Sequence, residues 1–366
     1  MSDYHFVDLA VDDSLANAVG QFDRIGVDTE FMRERTYFAE LCLLQVSTPQ
    51  EIFCADPLNR GPDNDKPSAA FWQAMVKPEW VVHSARQDLE VVYQSSGLMP
   101  QSIFDTQVAA AFLGFQPQVG YAGLVKELFN VELDKSHTRA DWSKRPLSDA
   151  VLKYAAEDVQ FLLPAYEILV ERLKESGRLE WAIEDSRDML NISLYESDPS
   201  LAINRLKGAR NLRGRSRAIA TALATWREKE ALRTNRPRQW IMRDSLLVDI
   251  AFACPQSMED LADIEGLAEK TIRRAGQEFL RIAANSTHDE SGYEPPTRPD
   301  ERQKKALKEM QKLVTASGEK HNVAAELIAP RKELSAAMQG DRDSRVFNGW
   351  RREVVGDQLL ELLENL

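Results

Sequence analysis

Ile25-Gly26-Val27-Asp28-Thr29-Glu30 sets two carboxylates inside an apolar strand. Side chains alternate between the two faces of a strand, so Asp28 and Glu30 point the same way, two residues apart. Charges in such a strand need partners that replace their lost hydration. Two other segments supply further acids: Asp88 in His83-Ser84-Ala85-Arg86-Gln87-Asp88-Leu89, and Asp158 in Tyr154-Ala155-Ala156-Glu157-Asp158. Ser148-Asp149 opens a helical pattern through Val151, Leu152, Val159, Phe161 and Leu162. Tyr154 and Asp158 therefore stand at i and i+4 on one helical face.

Carboxylates gathered within a few ångströms outside bulk water repel by on the order of several kcal/mol unless cations lie between them. An all-oxygen donor set favours hard divalent ions, Mg²⁺ or Mn²⁺, over zinc. The cysteines agree, since Cys42, Cys54 and Cys254 form no CxxC pair. Two such ions, about 4 Å apart, activate a water, clamp a scissile phosphate and neutralise the departing oxygen. The expected chemistry is phosphodiester hydrolysis with two divalent metal ions and no organic cofactor. A phenol of pKa about 10 is a poor base at neutral pH, so Tyr154 is expected to orient the attacking water.

Taken in order, the three segments resemble the Exo I, Exo II and Exo III motifs of the DEDD exonucleases, in the subclass whose third motif carries tyrosine. Within that group the sequence is most similar to the ribonuclease D family. Phe31 after Asp28-Thr29-Glu30, the His83 to Leu89 stretch, Asp134-Lys135-Ser136 and Asp141-Trp142-Ser143-Lys144-Arg145-Pro146-Leu147 carry the same resemblance, which spans nearly the whole chain. It implies that Asp28, Glu30, Asp88 and Asp158 organise two metals and that Tyr154 positions the nucleophilic water. It also implies a ribonuclease H-like sheet and an RNA substrate with a free 3′ end, such as a tRNA precursor.

Other residues near these motifs carry plainer readings. His83 ends the strand Trp80-Val81-Val82 and is expected to hold a turn or a helix start rather than act as a base. Asp105 sits where a helix N-cap belongs, before Val108 to Leu113. Arg139, Trp142, Lys144 and Arg145 form a basic and aromatic segment that either holds phosphates and stacks a base or clips a loop.

With 366 residues and 43% hydrophobic content the chain supports two or three domains with real cores. No apolar run approaches the roughly 20 residues of a membrane span; the N-terminus lacks a signal pattern, and the expected location is cytoplasmic. Three unpatterned cysteines fit a reducing compartment. The formal charge of −12 argues at first against a nucleic-acid partner. Its distribution reverses that impression. Residues 1 to 198 hold 33 acids against 17 bases, a net of −16, whereas Arg205 to Arg243 hold twelve bases against Glu228 and Glu230, a net of +10. That stretch contains Arg213, Arg215 and Arg217, expected with Phe31, Arg139, Trp142 and Arg145 to contact RNA.

Strands around Ile25 to Glu30, Leu41 to Ser47, Ile52 to Ala55 and Val81 to His83 alternate with helical stretches near Ala69 to Val76, Leu89 to Ser95, Val108 to Leu113 and Tyr121 to Phe129. The fold class is α/β, a mixed sheet with flanking helices, since Thr48-Pro49-Gln50-Glu51 is only a turn-length link. Residues 1–198 form the expected exonuclease domain. Residues 201–285 resemble an HRDC (helicase and RNase D C-terminal) domain, through Leu223, Trp226 and Arg227, Ile241 to Leu247, Ile250, and Ile264-Glu265-Gly266-Leu267. Residues 286–299 read as a linker, and residues 300–366 as a divergent second, all-α HRDC-like domain.

The reading is a metal-dependent 3′–5′ exoribonuclease that releases nucleoside 5′-monophosphates in the maturation of tRNA precursors and other structured RNAs. The alternatives are a DNA 3′–5′ exonuclease of repair type and a non-catalytic RNA-binding adaptor.

Overall fold

The computed structural model describes residues 4–9, 12–58, 67–134, 136–137, 140–288, 292–293 and 300–365. They fall into two compact units, neither continuous in sequence: Met1–Met32, Glu40–Tyr195 and Pro299–Leu366 in the first, Arg33–Ala39 and Glu196–Arg298 in the second.

The first unit is built on a six-stranded mixed sheet: β1 (Tyr4–Asp8), β2 (Arg24–Met32), β3 (Glu40–Ser47), β4 (Ile52–Asp56), β5 (Glu79–Val82) and β6 (Ile103–Asp105), in the order β1-β4-β3-β2-β5-β6. β3 runs antiparallel to both β2 and β4, while the β1/β4, β2/β5 and β5/β6 pairs are parallel. The tight β3–β4 link explains the antiparallel pair: Thr48 Oγ1 accepts from the Gln50 and Glu51 amides at 3.2 and 2.9 Å, folding the link on itself. β2 is thus a central strand, and its register sets Asp28 opposite Gln45 and Glu30 opposite Leu43.

The helical run expected after Ser148 is two helices, Asp149–Gln160 and Leu162–Glu175, meeting at Phe161. The first lays Leu152, Ala155 and Ala156 on Cys42, Leu43 and Cys54 of the sheet. Ser47 Oγ fastens it by donating to the Val159 carbonyl at 2.9 Å. Gly26 makes this approach possible, because a Cβ there would lie 2.3 Å from Ser47 Oγ and 3.1 Å from Leu162 Cβ. The glycine before Asp28 therefore lets the third acidic segment come down onto the strand.

Residues 300–366, expected as a domain of their own, instead share one hydrophobic core with the nuclease helices. Met310, Val314, Val346, Trp350 and Leu359 pack in the same cluster as Phe104, Phe112, Leu169 and Leu173. The Trp350 indole stacks on Trp181 at 4.6 Å, and buried Arg351 forks onto Asp185 at 2.5 and 2.7 Å. The amphipathic pattern shows that this segment has an apolar stripe but not what the stripe covers. The linker expected at 286–299 lies largely outside the described residues.

The second unit is helical: Gly214–Thr234, Arg238–Ile241, Asp244–Ala253, Met258–Ala262 and Glu269–Asn285 enclose Leu212, Ile219, Leu223, Leu247, Ile250 and Phe279. The β2–β3 connection is embedded in it. Tyr37 packs with Ala231 and Ile241, and its hydroxyl donates to Glu228 Oε1 at 2.5 Å and accepts from Arg238 Nη2 at 2.8 Å. The Tyr37 and Phe38 amides donate to Asn235 Oδ1 at 3.1 and 3.0 Å.

Candidate active site

Asp28, Glu30, Asp88, Tyr154 and Asp158 line one cavity of about 370 Å³, beside Phe31, Tyr121 and Leu162. Strand alternation delivers Asp28 and Glu30 to one face, and the Asp149–Gln160 helix brings Asp158 to them. Ligand oxygens of Asp28, Glu30 and Asp158 all lie within 4.8 Å of one another. Asp88 stands in the first turn of the Arg86–Ser96 helix, where the helix dipole favours a negative charge. Its Oδ1 accepts from the Thr29 amide at 3.2 Å and from Thr29 Oγ1 at 2.6 Å, so a residue of β2 itself orients it.

The cluster is electrostatically unfinished. Burial, then the charges of Asp88, Asp158 and Glu30, hold the Asp28 carboxyl well above the usual carboxylate range. Burial and the charges of Asp158 and Asp88 push Glu30 up to about 8. Burial lifts Asp88 to about 7 against the Thr29 hydrogen bonds, and Asp158 to about 7 against a hydrogen bond from the Tyr154 hydroxyl. Among the described residues no lysine or arginine lines the cavity. Oxygen donors at this spacing without a basic partner fit divalent cations.

His83 is committed on both nitrogens. Nε2 meets the Val119 carbonyl at 2.9 Å and Nδ1 the Thr106 hydroxyl at 2.9 Å, while burial lowers its pKa. This is the turn-holding role expected from its place in the sequence. Asp105 caps its helix as expected, accepting from the Gln107 and Val108 amides. It also accepts from the Ser84 and Ala85 amides at 3.1 and 2.8 Å, bracing the start of the helix that carries Asp88.

The residues expected to touch RNA divide differently. Phe31 lines the cavity. Arg139 lies outside the described residues. Trp142 is 3% exposed, packed with Leu152 and Ala155, so it has no free face for a base. Arg145 is engaged by Asp56 at 2.6 and 2.7 Å and by the Cys42 carbonyl at 2.6 Å, which makes it a clip between its loop and β4. Arg213 and Arg215 are exposed, but Arg217 is 6% exposed and donates to the Ala209 carbonyl at 3.1 Å. Both aromatic and long basic side chains bury readily on apolar stems, which residue type alone does not reveal.

Three residues of the neighbourhood escaped sequence reasoning. Thr29 has its signal in the strand itself, as the polar residue between the two acids. Tyr121 takes part through its hydroxyl, which accepts from the Phe161 amide at 3.0 Å and pins the junction after Asp158. Gln45, cross-strand from Asp28, is fully buried, and neither side-chain amide atom has a hydrogen-bond partner among the described residues. A lone amide inside Leu41-Cys42-Leu43-Leu44-Gln45-Val46 was the available sign.

Residues 9–174 match the family described as 3′–5′ exonuclease, and residues 216–283 match the HRDC domain. A mixed sheet carrying this acidic cluster, followed by that helical domain, defines a 3′–5′ exonuclease with an HRDC appendage. Ribonuclease D of Gluconacetobacter diazotrophicus is 37% identical over 346 residues, covering 92% of this chain and 87% of that protein. Ribonuclease D of Acidiphilium cryptum is 38% identical over 348 residues, covering 92% and 87%. The crystal structure of Escherichia coli RNase D, an exoribonuclease involved in structured RNA processing, superposes with a TM-score of 0.88 at 30% identity, covering 99% of each chain. The chain belongs to the ribonuclease D family, whose members are 3′–5′ exoribonucleases.

Among the described residues no helix is long and apolar enough to cross a membrane.

Proposed function

We propose that this enzyme trims RNA from its 3′ end, one nucleoside 5′-monophosphate at a time, with tRNA precursors and other structured RNAs as substrates. The observation that carries this reading is the approach of three carboxylates to within 4.8 Å of one another, with Asp88 in the same cavity and no basic counter-charge lining it among the described residues. Asp28, Glu30, Asp88 and Asp158 would hold two divalent ions, Mg²⁺ or Mn²⁺. When bound, the ions supply the positive charge that lets a phosphodiester enter an acidic site, and they acidify a water.

The chain's own residues do the positioning. The Tyr154 hydroxyl donates its hydrogen bond to Asp158, which leaves its oxygen lone pairs to hold the attacking water. Phe31 offers a ring at the cavity for the terminal base. His83, with both ring nitrogens engaged by Thr106 and Val119, moves no proton. Exposed Arg213 and Arg215 hold the body of the RNA. The shared core supports a bracing role for residues 300–366 rather than an RNA platform. We place the enzyme in the cytoplasm, since Cys42, Cys54 and Cys254 are free thiols.

The test is incubation of the purified chain with a 3′-extended hairpin RNA and the matching DNA, with Mg²⁺, with Mn²⁺ or with EDTA, and sizing of the products. Stepwise shortening of the RNA from its 3′ end, dependent on the cation, is the expected result. Endonucleolytic products, equal turnover in EDTA or preference for the DNA strand would overturn it.

A further inference from the structure

Twelve bases crowd the stretch from Arg205 to Arg243, but the fold does not leave them equally available. Arg227 is buried against Asp244 at 2.6 Å, Arg233 is paired with Glu230, and Arg238 forks onto buried Glu228 at 2.5 and 2.7 Å. Four of the other nine meet at one place, three of them exposed and Arg217 buried. A cavity of about 450 Å³ opens in the second unit where the segment 203–210 folds over the start of the Gly214–Thr234 helix. Arg205, Lys207, Arg210 and Arg217 line it together with Tyr293, and no acidic residue lines it among the described residues.

Among the described residues, the two acids bonded to this segment do not cancel its charge. Glu228 is shared by the Arg205 and Arg238 guanidiniums, two positive groups on one carboxylate. Asp244 receives Arg227 on one oxygen and the Lys207 amide on the other. Among the described residues the mouth keeps an excess of positive charge on exposed Arg205, Lys207 and Arg210. The floor is of another kind: the Arg217 guanidinium carbon lies over the Tyr293 ring, 3.3 Å from its centre, a cation against a phenol. Gly208, at φ 91°, turns the rim where an L side chain would be strained.

A cationic mouth over an aromatic and guanidinium floor is the chemistry that takes a nucleotide, phosphate outside and base inside. The volume lies in the range of small-ligand clefts, about 300 to 1,000 Å³. We infer that this pocket is an RNA-binding subsite that holds one nucleotide of a single strand, its phosphate on Lys207 and Arg210 and its base at Tyr293. Most of its lining residues precede the span matched by the HRDC family, and the inference rests on the reading of the chain as an RNA-trimming enzyme.

The test is fluorescence anisotropy of a labelled single-stranded RNA dodecamer with the full chain in EDTA, titrated with KCl. Lys207→Glu with Arg210→Glu is expected to weaken binding at least tenfold and to make the salt slope shallower by about 1.4, two phosphate contacts on a single strand. Tyr293→Leu changes no charge, so it is expected to weaken binding about tenfold while leaving the salt slope as it was. Wild-type affinity and slope in both variants, each with its melting temperature preserved, would remove the pocket. A charge-reversal loss without any Tyr293 effect overturns the nucleotide assignment in favour of a diffuse cationic surface. These arms contain no cation, so they judge the pocket separately from hydrolysis. A wild-type chain that binds RNA here yet never shortens it in Mg²⁺ or Mn²⁺ would instead defeat the proposed function.

Discussion

Replacing Glu30 by glutamine should make the metal-free protein more stable, and only above acidic pH. Glu30 titrates at about 8 in the fold against an ordinary value of 4.5. Between those values the unfolded chain has given up a proton that the folded chain still holds, so folding stability falls as pH rises through that window. At ~1.4 kcal/mol per pH unit, the interval from 4.5 to about 8 amounts to on the order of 4 kcal/mol. Glutamine carries no such penalty. The measurement is a series of thermal melts in EDTA from pH 5 to pH 8.5, wild type beside Glu30→Gln. The two should melt within about 3 °C of each other at pH 5, and the variant should lead by roughly 8 °C or more at pH 8, at about 2 to 4 °C per kcal/mol. Adding Mn²⁺ at pH 8 should raise the wild type and shrink or reverse the gap. Parallel curves across the whole pH range would show that no charge frustration exists at Glu30 and would remove the physical reason for a cation there.

Asp158→Asn should abolish cleavage, a loss of at least a thousandfold in single-turnover trimming, with RNA affinity in EDTA unchanged; turnover near wild type would dismiss the site. Tyr154→Phe keeps the ring but removes the hydrogen bond donated to Asp158, so it should slow trimming about 10- to 100-fold while calorimetric Mn²⁺ affinity stays within a few-fold. A collapse of Mn²⁺ binding would make the tyrosine structural instead. Asp185→Ala strands the Arg351 guanidinium in a buried site and should cost about 3 to 5 kcal/mol in urea unfolding; a cost below 1 kcal/mol would mean that the C-terminal segment is not locked through this pair.

Much of the catalytic neighbourhood was readable because it depends on local periods. Two acids at i and i+2 of a strand share a face, and a phenol and an acid at i and i+4 of a helix share another. Convergence of the three segments is a long-range fact, and only the order of the motifs hinted at it. The short edge strands β1 and β6 were not anticipated: Ile103–Asp105 is three residues long, too short for alternation to show, and its aspartate looked like nothing but a cap. Trp142 and Arg217, both candidates for RNA contact, are buried, because the same side chains serve loops, cores and ligands. Segment 300–366 displayed a helical stripe without its counterpart, since the facing residues lie far back in the chain, between Phe104 and Asp185.

The hairpin that leaves the strand of Asp28 and Glu30 through Arg33 and returns through Ala39 makes the boundaries drawn along the sequence misleading as places to cut. A fragment stopped after residue 198 would carry Tyr37 and Phe38 with no seat for them, and would bare the apolar wall that Trp350 and its neighbours cover. Swapping appendages between relatives as if they were beads on a string should therefore fail unless the hairpin travels with the helical donor. Recombination is free to vary what each helix presents to solvent, but it has to inherit the weave as one piece.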